Sequence, residues 1–414
     1  MQIRRARFAV AATFLLHAVV LGTWAPRLPA VKEKLSLGND DLGLALAGLA
    51  VGMVIGTRLV VRLEARGRTG GAMRIALVVQ AITLLGPAFA WNLPSLVLTL
   101  VLLGIVGGAL DVLMNVHAVA VERLYRRPIM SSFHGLWSVG SMLAGATAAS
   151  AAAVDLELGL HFGIVSVLSV LLAPLLLAGL LPGDDEAAVS RTVGADERGQ
   201  GGRSPRRTPV VGPVVVGVLA LMGFGAFLSE GAIADWSAVF LHDERGVSEG
   251  FAALGFTAFS AAMAFSRLVA DRIGARVGAV VMARSGGLLA AAGYLVFLLF
   301  PHPAAALLGF VVAGLGIGPC VPVVFSAAGN TGTTKRDSVL SIAVAAGYVG
   351  VVVGPSVIGW VSEHVGLGWA LSAPIAFLAL VVAAAGLLRN AAGGQNSPSS
   401  EADASASMVP DSGT

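Results

Sequence analysis

"RLVADRIGAR", residues 267–276, is a charged stretch between two apolar ones, and it has a partner. "RLVVRLEAR", residues 58–66, occupies the same position between two earlier apolar stretches. The kinship reaches beyond the two segments. The shift that lays Arg62 on Arg272 also lays Gly104 on Gly314, Gly108 on Gly318 and Gly140 on Gly350. Single glycine matches are common in a chain with 53 glycines, but a shared offset joined to a shared inter-helix loop is not. The chain reads as two copies of one unit.

Composition says what each copy is made of. Hydrophobic residues are 56% of the 414 and charged residues 12%, and mean hydropathy is +0.84. Soluble domains carry about a quarter charged residues. An Ala-rich helical protein in water is the alternative, and the long apolar runs argue against it. Phe8 to Pro26, Ile75 to Asp111 and Val277 to Lys335, the last broken only by Arg284, each hold a segment long enough to cross a bilayer as a helix. A net charge of +3 and a pI near 9.4 invite a nucleic-acid partner. The basic residues are instead scattered over many short loops and form no single patch, so none is expected. The one cysteine, Cys320, leaves no internal disulfide or cysteine-based metal site and reads as a small packing residue. Arg4, Arg5 and Arg7 before an apolar run resemble a signal peptide. The run reaches about Leu28 without a small-x-small cleavage site, so it is expected to be an uncleaved first transmembrane helix.

Cutting at Pro, Gly and charge clusters predicts an all-α polytopic membrane protein with twelve transmembrane helices in two six-helix bundles. The first six run over 8–29, 41–63, 71–91, 94–120, 130–153 and 159–181. The second six run over 211–240, 250–270, 277–300, 304–328, 338–361 and 368–389. Four units follow: a bundle over 1–182, a polar Gly/Pro-rich linker over 183–209, a bundle over 210–390 and a tail over 391–414. Linker and tail read as disordered and cytoplasmic. With the N-terminus inside, all 27 Lys and Arg except Arg27, Lys32, Lys34 and Arg245 fall on the cytoplasmic side, so both termini are expected there. A parallel repeat of six-helix halves is a transporter architecture, with the substrate site between the halves near mid-membrane.

At this point the chain, over residues 8–389, resembles the major facilitator superfamily. The second charged segment is similar to that superfamily's motif A, with Asp271, Arg272, Gly274 and Arg276 in place. The first copy keeps Arg62 but has Val61 for the Asp and Glu64 for the Gly. The resemblance implies a gating role, in which Asp271 faces a neighbouring helix end and holds the cytoplasmic side shut. A carboxylate at a positive helix end is the physical basis. With one copy broken, Asp271 acts alone or gating is lopsided. "DVLMNVHAVAVE" with "RRPIMSSFHGLWSVG" further resembles the YbjJ-like bacterial inner-membrane branch near the sugar permeases. The fifth helix lacks the Gly-Pro pattern of many drug/proton antiporters.

Ionisable groups at mid-bilayer cost roughly 2.5–3.5 kcal/mol, so they face a cavity or a partner. On the fourth helix Asp111, Asn115 and Glu122 share a stripe, while His117 points about 120° away. Asp111 and Asn115 form a cavity-facing pair, or Asp111 is neutralised by a fixed partner such as Arg58. His117 reads first as a helix–helix hydrogen bond, and His134 as structural or gating. His17 on the first helix is a substrate ligand or proton relay, or a packed histidine with a hydrogen bond. Trp24, on the same stripe, is an interfacial aromatic or a platform for a sugar-like ring. On the seventh helix Glu230 lies deep, placed to couple transport to protons or to form a salt bridge between the halves. Asp235 lies nearer the aqueous rim, about 140° from Glu230, and Trp236 falls in the repeat counterpart of the Trp24 region. Pro319 and Pro322 are expected to break the tenth helix, and Asn330 to cap its inner end. These positions fall on the first, fourth, seventh and tenth helices, which the resemblance implies line the cavity.

The function expected is secondary transport of a small polar solute, a sugar or related metabolite, by alternating access coupled to protons. Export or antiport of drugs or metabolites is the alternative. The setting is a bacterial inner membrane, and the chain is expected to be monomeric. Its partners are the solute, protons and the lipid bilayer. No cofactor and no metal are expected. "GxxxxGK[ST]", H-E-x-x-H and G-x-S-x-G are all missing, which argues against ATP-driven transport by this chain and against a membrane enzyme. A receptor is disfavoured by the lack of a folded soluble domain.

Overall fold

The computed structural model describes residues 2–64, 69–125, 129–181, 212–329 and 336–388. The linker 183–209 and the tail 391–414 lie outside the described residues. So do Arg126, Arg127, Asn330 and Lys335, and the side chains of Arg62 and Asp271.

The protein is an all-α polytopic membrane protein. Its crossing helices are α1 (Gln2–Gly22), α2 (Asn39–Glu64), α3 (Thr69–Thr83), α4 (Leu93–Tyr125), α5 (Met130–Ala153) and α6 (Leu158–Leu176), then α7 (Pro213–Val239). Glu249–Leu299 follows as α8 and α9, then α10 (Pro303–Ile317), α11 (Arg336–Val365) and α12 (Ala373–Ala384). Eleven helices among the described residues are long and apolar enough to cross a membrane. The remaining one, α5, has 24 residues. That length suffices for a hydrocarbon core about 30 Å thick, though its many Ala, Ser and Gly residues make it less apolar.

Two local features bear on the site. Residues 271–276 are helical, and only Gly278 (φ 80°, ψ 164°) breaks the run between α8 and α9. The apolar span itself ends at Ala270, as expected, while the helix runs on past it. The segment has no proline, so its charges mark the membrane surface without ending the helix. The tenth span does break. α10 stops at Ile317 and the chain resumes as Cys320–Gly329, with Pro322 in the new first turn, where a missing N–H costs nothing.

The sequence repeat reappears as repeated contacts. A Cβ at Gly104 would lie 2.1 Å from the Leu49 carbonyl on α2, and one at Gly314 would lie 2.6 Å from the Phe259 carbonyl on α8. Gly140 approaches Leu15 on α1 at 2.5 Å, and Gly350 approaches Phe224 on α7 at 2.8 Å. Matching glycines thus let matching helix pairs touch backbone to backbone, which is how helices pack in lipid.

The halves meet through α2 against α11 and α5 against α8. Four polar links between described residues join them, all toward the face opposite the termini. Arg27 Nε faces Glu249 at 3.7 Å and Lys32 pairs with Asp243. The Asn39 N–H donates to Glu363 at 3.1 Å and the Ser356 hydroxyl to the Gly43 carbonyl at 3.2 Å. A Cβ at Gly359 would come within 2.3 Å of the Asn39 carbonyl, so α2 and α11 are in backbone contact there.

Candidate functional site

Beneath that closed face, between the halves, lies a cavity of about 250 Å³. Its wall on α7 is a helical stripe of Phe227, Glu230, Gly231, Ala234 and Asp235, the i, i+3, i+4, i+7, i+8 spacing of one broad face. Glu230 and Asp235 occupy the two edges of that face. The 140° between them therefore does not keep either out of the cavity. Trp24, Trp137, Phe256 and Ser141 complete the part that matters chemically.

Trp24 is placed by the end of α1. The helix stops at Gly22, and a single 3-10 turn, Ala25–Arg27, carries the chain into a short helix, Leu28–Leu35. Pro26 and Pro29 sit in the first turns of these elements, where proline fits. Trp24 is 1% exposed, its ring held between the hydrophobic core and the cavity.

Glu230 does not stand alone. Its Oε2 accepts from Arg267 Nη2 on α8 at 2.9 Å. The sequence reading put Arg267 in the charged segment at the cytoplasmic end of the eighth span; the structure shows it helical there, in the last turn of the span, with its guanidinium on Glu230. The pair also lies within the second half and does not bridge the two. The signal was available in the length of α8, since a helix that continues past residue 270 carries Arg267 well inside its end. Asp235 is different. Among the described residues its carboxylate has no hydrogen bond and no ion pair, and it opens onto the cavity.

The first half is arranged otherwise. His17 Nδ1 meets Gln80 Oε1 on α3 at 3.0 Å, and both residues are buried. Asn115 Nδ2 donates to the Asp111 carbonyl at 2.8 Å and to its carboxylate at 3.3 Å, so the two share a face and touch. Asp111 forms no ion pair with Arg58 or any other described residue. His117 accepts from the Leu181 N–H at 3.1 Å, tying α4 to the end of α6. Glu122 accepts from the N–H groups of Ile129 and Met130, both at 2.7 Å, and so caps the start of α5. His134 packs edge-on against Phe14. None of His17, Asp111 or Asn115 lines the 250 Å³ cavity. Trp236 is fully buried in the core and does not line it either. His17 and His134 both lie within electrostatic reach of Asp111, and no metal-binding group of His, Cys, Asp or Glu is found among the described residues.

Of the motif residues, Gly274 has room for a side chain, with Met282 as its nearest neighbour at 3.7 Å. Arg272 and Arg276 are on the same helical segment, exposed.

A family profile described as Major Facilitator Superfamily matches residues 10–333 and again 219–410. An uncharacterised transporter of Sinorhizobium fredii, y4wD, is 35% identical over 359 residues, covering 86% of this chain and 90% of that protein. An uncharacterised MFS-type transporter of Yersinia pestis is 33% identical over 390 residues, covering 90% and 92%. Among solved structures, a D-xylose–proton symporter superposes with a TM-score of 0.70 at 16% identity, over 92% of this chain and 97% of that one. The profile spans both repeats and the relatives span nearly the whole chain, so this membrane protein belongs to the major facilitator superfamily of transporters.

Proposed function

We propose that the protein is a secondary active transporter that carries a small polar solute, a sugar or related metabolite, by alternating access coupled to protons. It works in a bacterial inner membrane with both termini in the cytoplasm, as a monomer, since the cavity is complete within one chain. The observation that carries this reading is a cavity between the halves, closed at one face and lined by Glu230, which Arg267 pairs from outside the lining, and by Asp235, which has no ion pair among the described residues. The face away from the termini is shut by Arg27–Glu249, Lys32–Asp243 and the α2–α11 contact. Opening that face requires these links to part while others form near the termini, where the motif residues Asp271, Arg272 and Arg276 lie. A proton on Glu230 would free Arg267, which gives protons a means of changing the cavity's charge with the transport cycle. The similarity to a sugar–proton symporter supports the substrate class at the level of fold. The aromatic lining of Trp24, Trp137, Phe227 and Phe256 also suits an exporter of less polar compounds.

The test uses purified protein in liposomes holding a pH-sensitive dye, with sugars and small metabolites added outside in turn. Solute-dependent proton movement lost in Glu230→Gln supports the reading. Solute uptake with no pH change would rule out proton coupling. Solute expelled against its gradient when the proton gradient is reversed would favour the exporter.

A further inference from the structure

The charges around the cavity do not balance. Glu230 is neutralised by Arg267 at 2.9 Å. Arg27, in the closed face above, is matched by Glu249 at 3.7 Å. No Lys, Arg or His lines the cavity. Asp235 therefore stands as one carboxylate unmatched among the described residues, in a chamber walled, apart from the paired Glu230 and Ser141, by apolar and aromatic side chains. A carboxylate in such surroundings is costly unless a cation joins it. No described residue supplies that cation, so the cargo or the solvent must.

The rest of the wall has the chemistry that an organic cation needs. Trp24 and Trp137 open onto the same space, as do Phe227 and Phe256. Aromatic faces attract ammonium groups, tryptophan most strongly, and more so where water is excluded. The cavity, at about 250 Å³, lies below the range of roughly 300–1,000 Å³ that holds drug-sized ligands, which limits the cargo to about one ring or a short chain.

We propose that the transported solute carries a protonated amine, received by Asp235 as its counter-ion and flanked by Trp24 and Trp137. The proposal rests on the transport reading above and names the cargo of that same cavity. An amino sugar satisfies both the polar-solute reading and the unmatched charge; a simple alkyl amine satisfies only the second.

The experiment titrates full-length purified protein by calorimetry at neutral pH with matched pairs: glucosamine and glucose, galactosamine and galactose, cyclohexylamine and cyclohexanol. In at least one pair the amine is expected to bind on the order of tenfold more tightly, the scale of one charge-assisted contact. Asp235→Asn should level that pair and Asp235→Glu should preserve the preference. Trp24→Leu, which keeps every charge, should weaken the amine more than its neutral partner and covers the case in which Asp235→Asn does not fold. Equal affinity within every pair, no binding by any amine, or a preference that survives Asp235→Asn overturns the proposal. Uptake into liposomes of the same protein separates the two readings. Uptake of a neutral solute alone leaves transport standing and refutes the amine. Amine binding levelled by Asp235→Asn without uptake of any solute supports the amine site and refutes transport.

Discussion

The two halves carry comparable polar side chains within their helices and dispose of them in opposite ways. In the first half each finds a neighbour inside its own bundle: His17 with Gln80, Asn115 with Asp111, His117 with the Leu181 N–H. In the second half the carboxylates face the space between the bundles, Glu230 with Arg267 behind it and Asp235 with no ion pair among the described residues. A repeat that preserves helix packing, glycine for glycine, need not preserve chemistry. The first bundle ties helices together at His17 and His117 and pairs Asn115 with Asp111 along α4. The second uses polarity to furnish a chamber.

The largest effect expected from this contrast lies at the charged pair. Arg267→Ala strands Glu230 without its counter-ion, and uptake should fall to about a tenth of wild type or less. The loss in stability should be about 1–3 kcal/mol, the usual cost of an unsatisfied charged group. Glu230→Gln combined with Arg267→Gln should recover the stability, read as thermal unfolding in detergent, without recovering uptake. Recovery of both would make the pair structural and erase the contrast.

Next comes the closed face. Gly359→Val places methyl groups where a Cβ alone would be 2.3 Å from the Asn39 carbonyl. The halves should part on that side. A cysteine introduced at Ser141, in the cavity wall, should then react several-fold faster with an impermeant maleimide from the side opposite the termini. The native Cys320 is buried and should stay silent. An unchanged rate would mean that α2 and α11 are not what closes the chamber.

The first bundle should respond more mildly. His17→Leu deletes one buried hydrogen bond and leaves Gln80 unsatisfied, for a loss of about 1–2 kcal/mol, with uptake above half of wild type. Uptake abolished at normal stability would show His17 to be part of the pathway. The smallest effect belongs to Trp236→Phe. The Trp236 ring is buried and its Nε1 has no partner among the described residues, so the change should cost about 1.5 kcal/mol or less and leave solute affinity untouched. Trp24→Phe, by contrast, should shift affinity, because Trp24 opens onto the cavity.

Much of the fold was legible because its signals are local. The fifth span, read as 130–153 between "RRPI" and a run of small residues, matches α5 residue for residue. Pro319 broke the tenth span where a missing N–H and a ring clash require it. The eighth span, read as 250–270, matches the apolar stretch Glu249–Ala270, but the helix does not end with it. Arg267, Asp271, Arg272 and Arg276 look like the end of a helix in a hydropathy reading, but charge excludes lipid without excluding helix, and the chain stays helical to Gly278. The polar positions were recognisable as anomalies in every case. The roles of His17 and Glu230 were not, because they depend on partners far along the chain: Gln80 for His17, 63 residues on, and Arg267 for Glu230, 37 residues on.

The amino-acid sequence by itself determined that this is a polytopic helical protein, how many times it crosses, and that its two halves repeat. A bilayer demands long apolar helices with their backbone bonds closed internally, and that demand is written into consecutive residues. Only the tertiary structure decided that Trp24, Glu230 and Asp235 share a cavity, that Trp236 and His17 do not, and that Arg267 neutralises Glu230 while Asp235 is left alone. Helix rotation and the packing of one bundle against the other settle those matters. Both are sums over contacts between distant residues, which no single stretch of sequence contains.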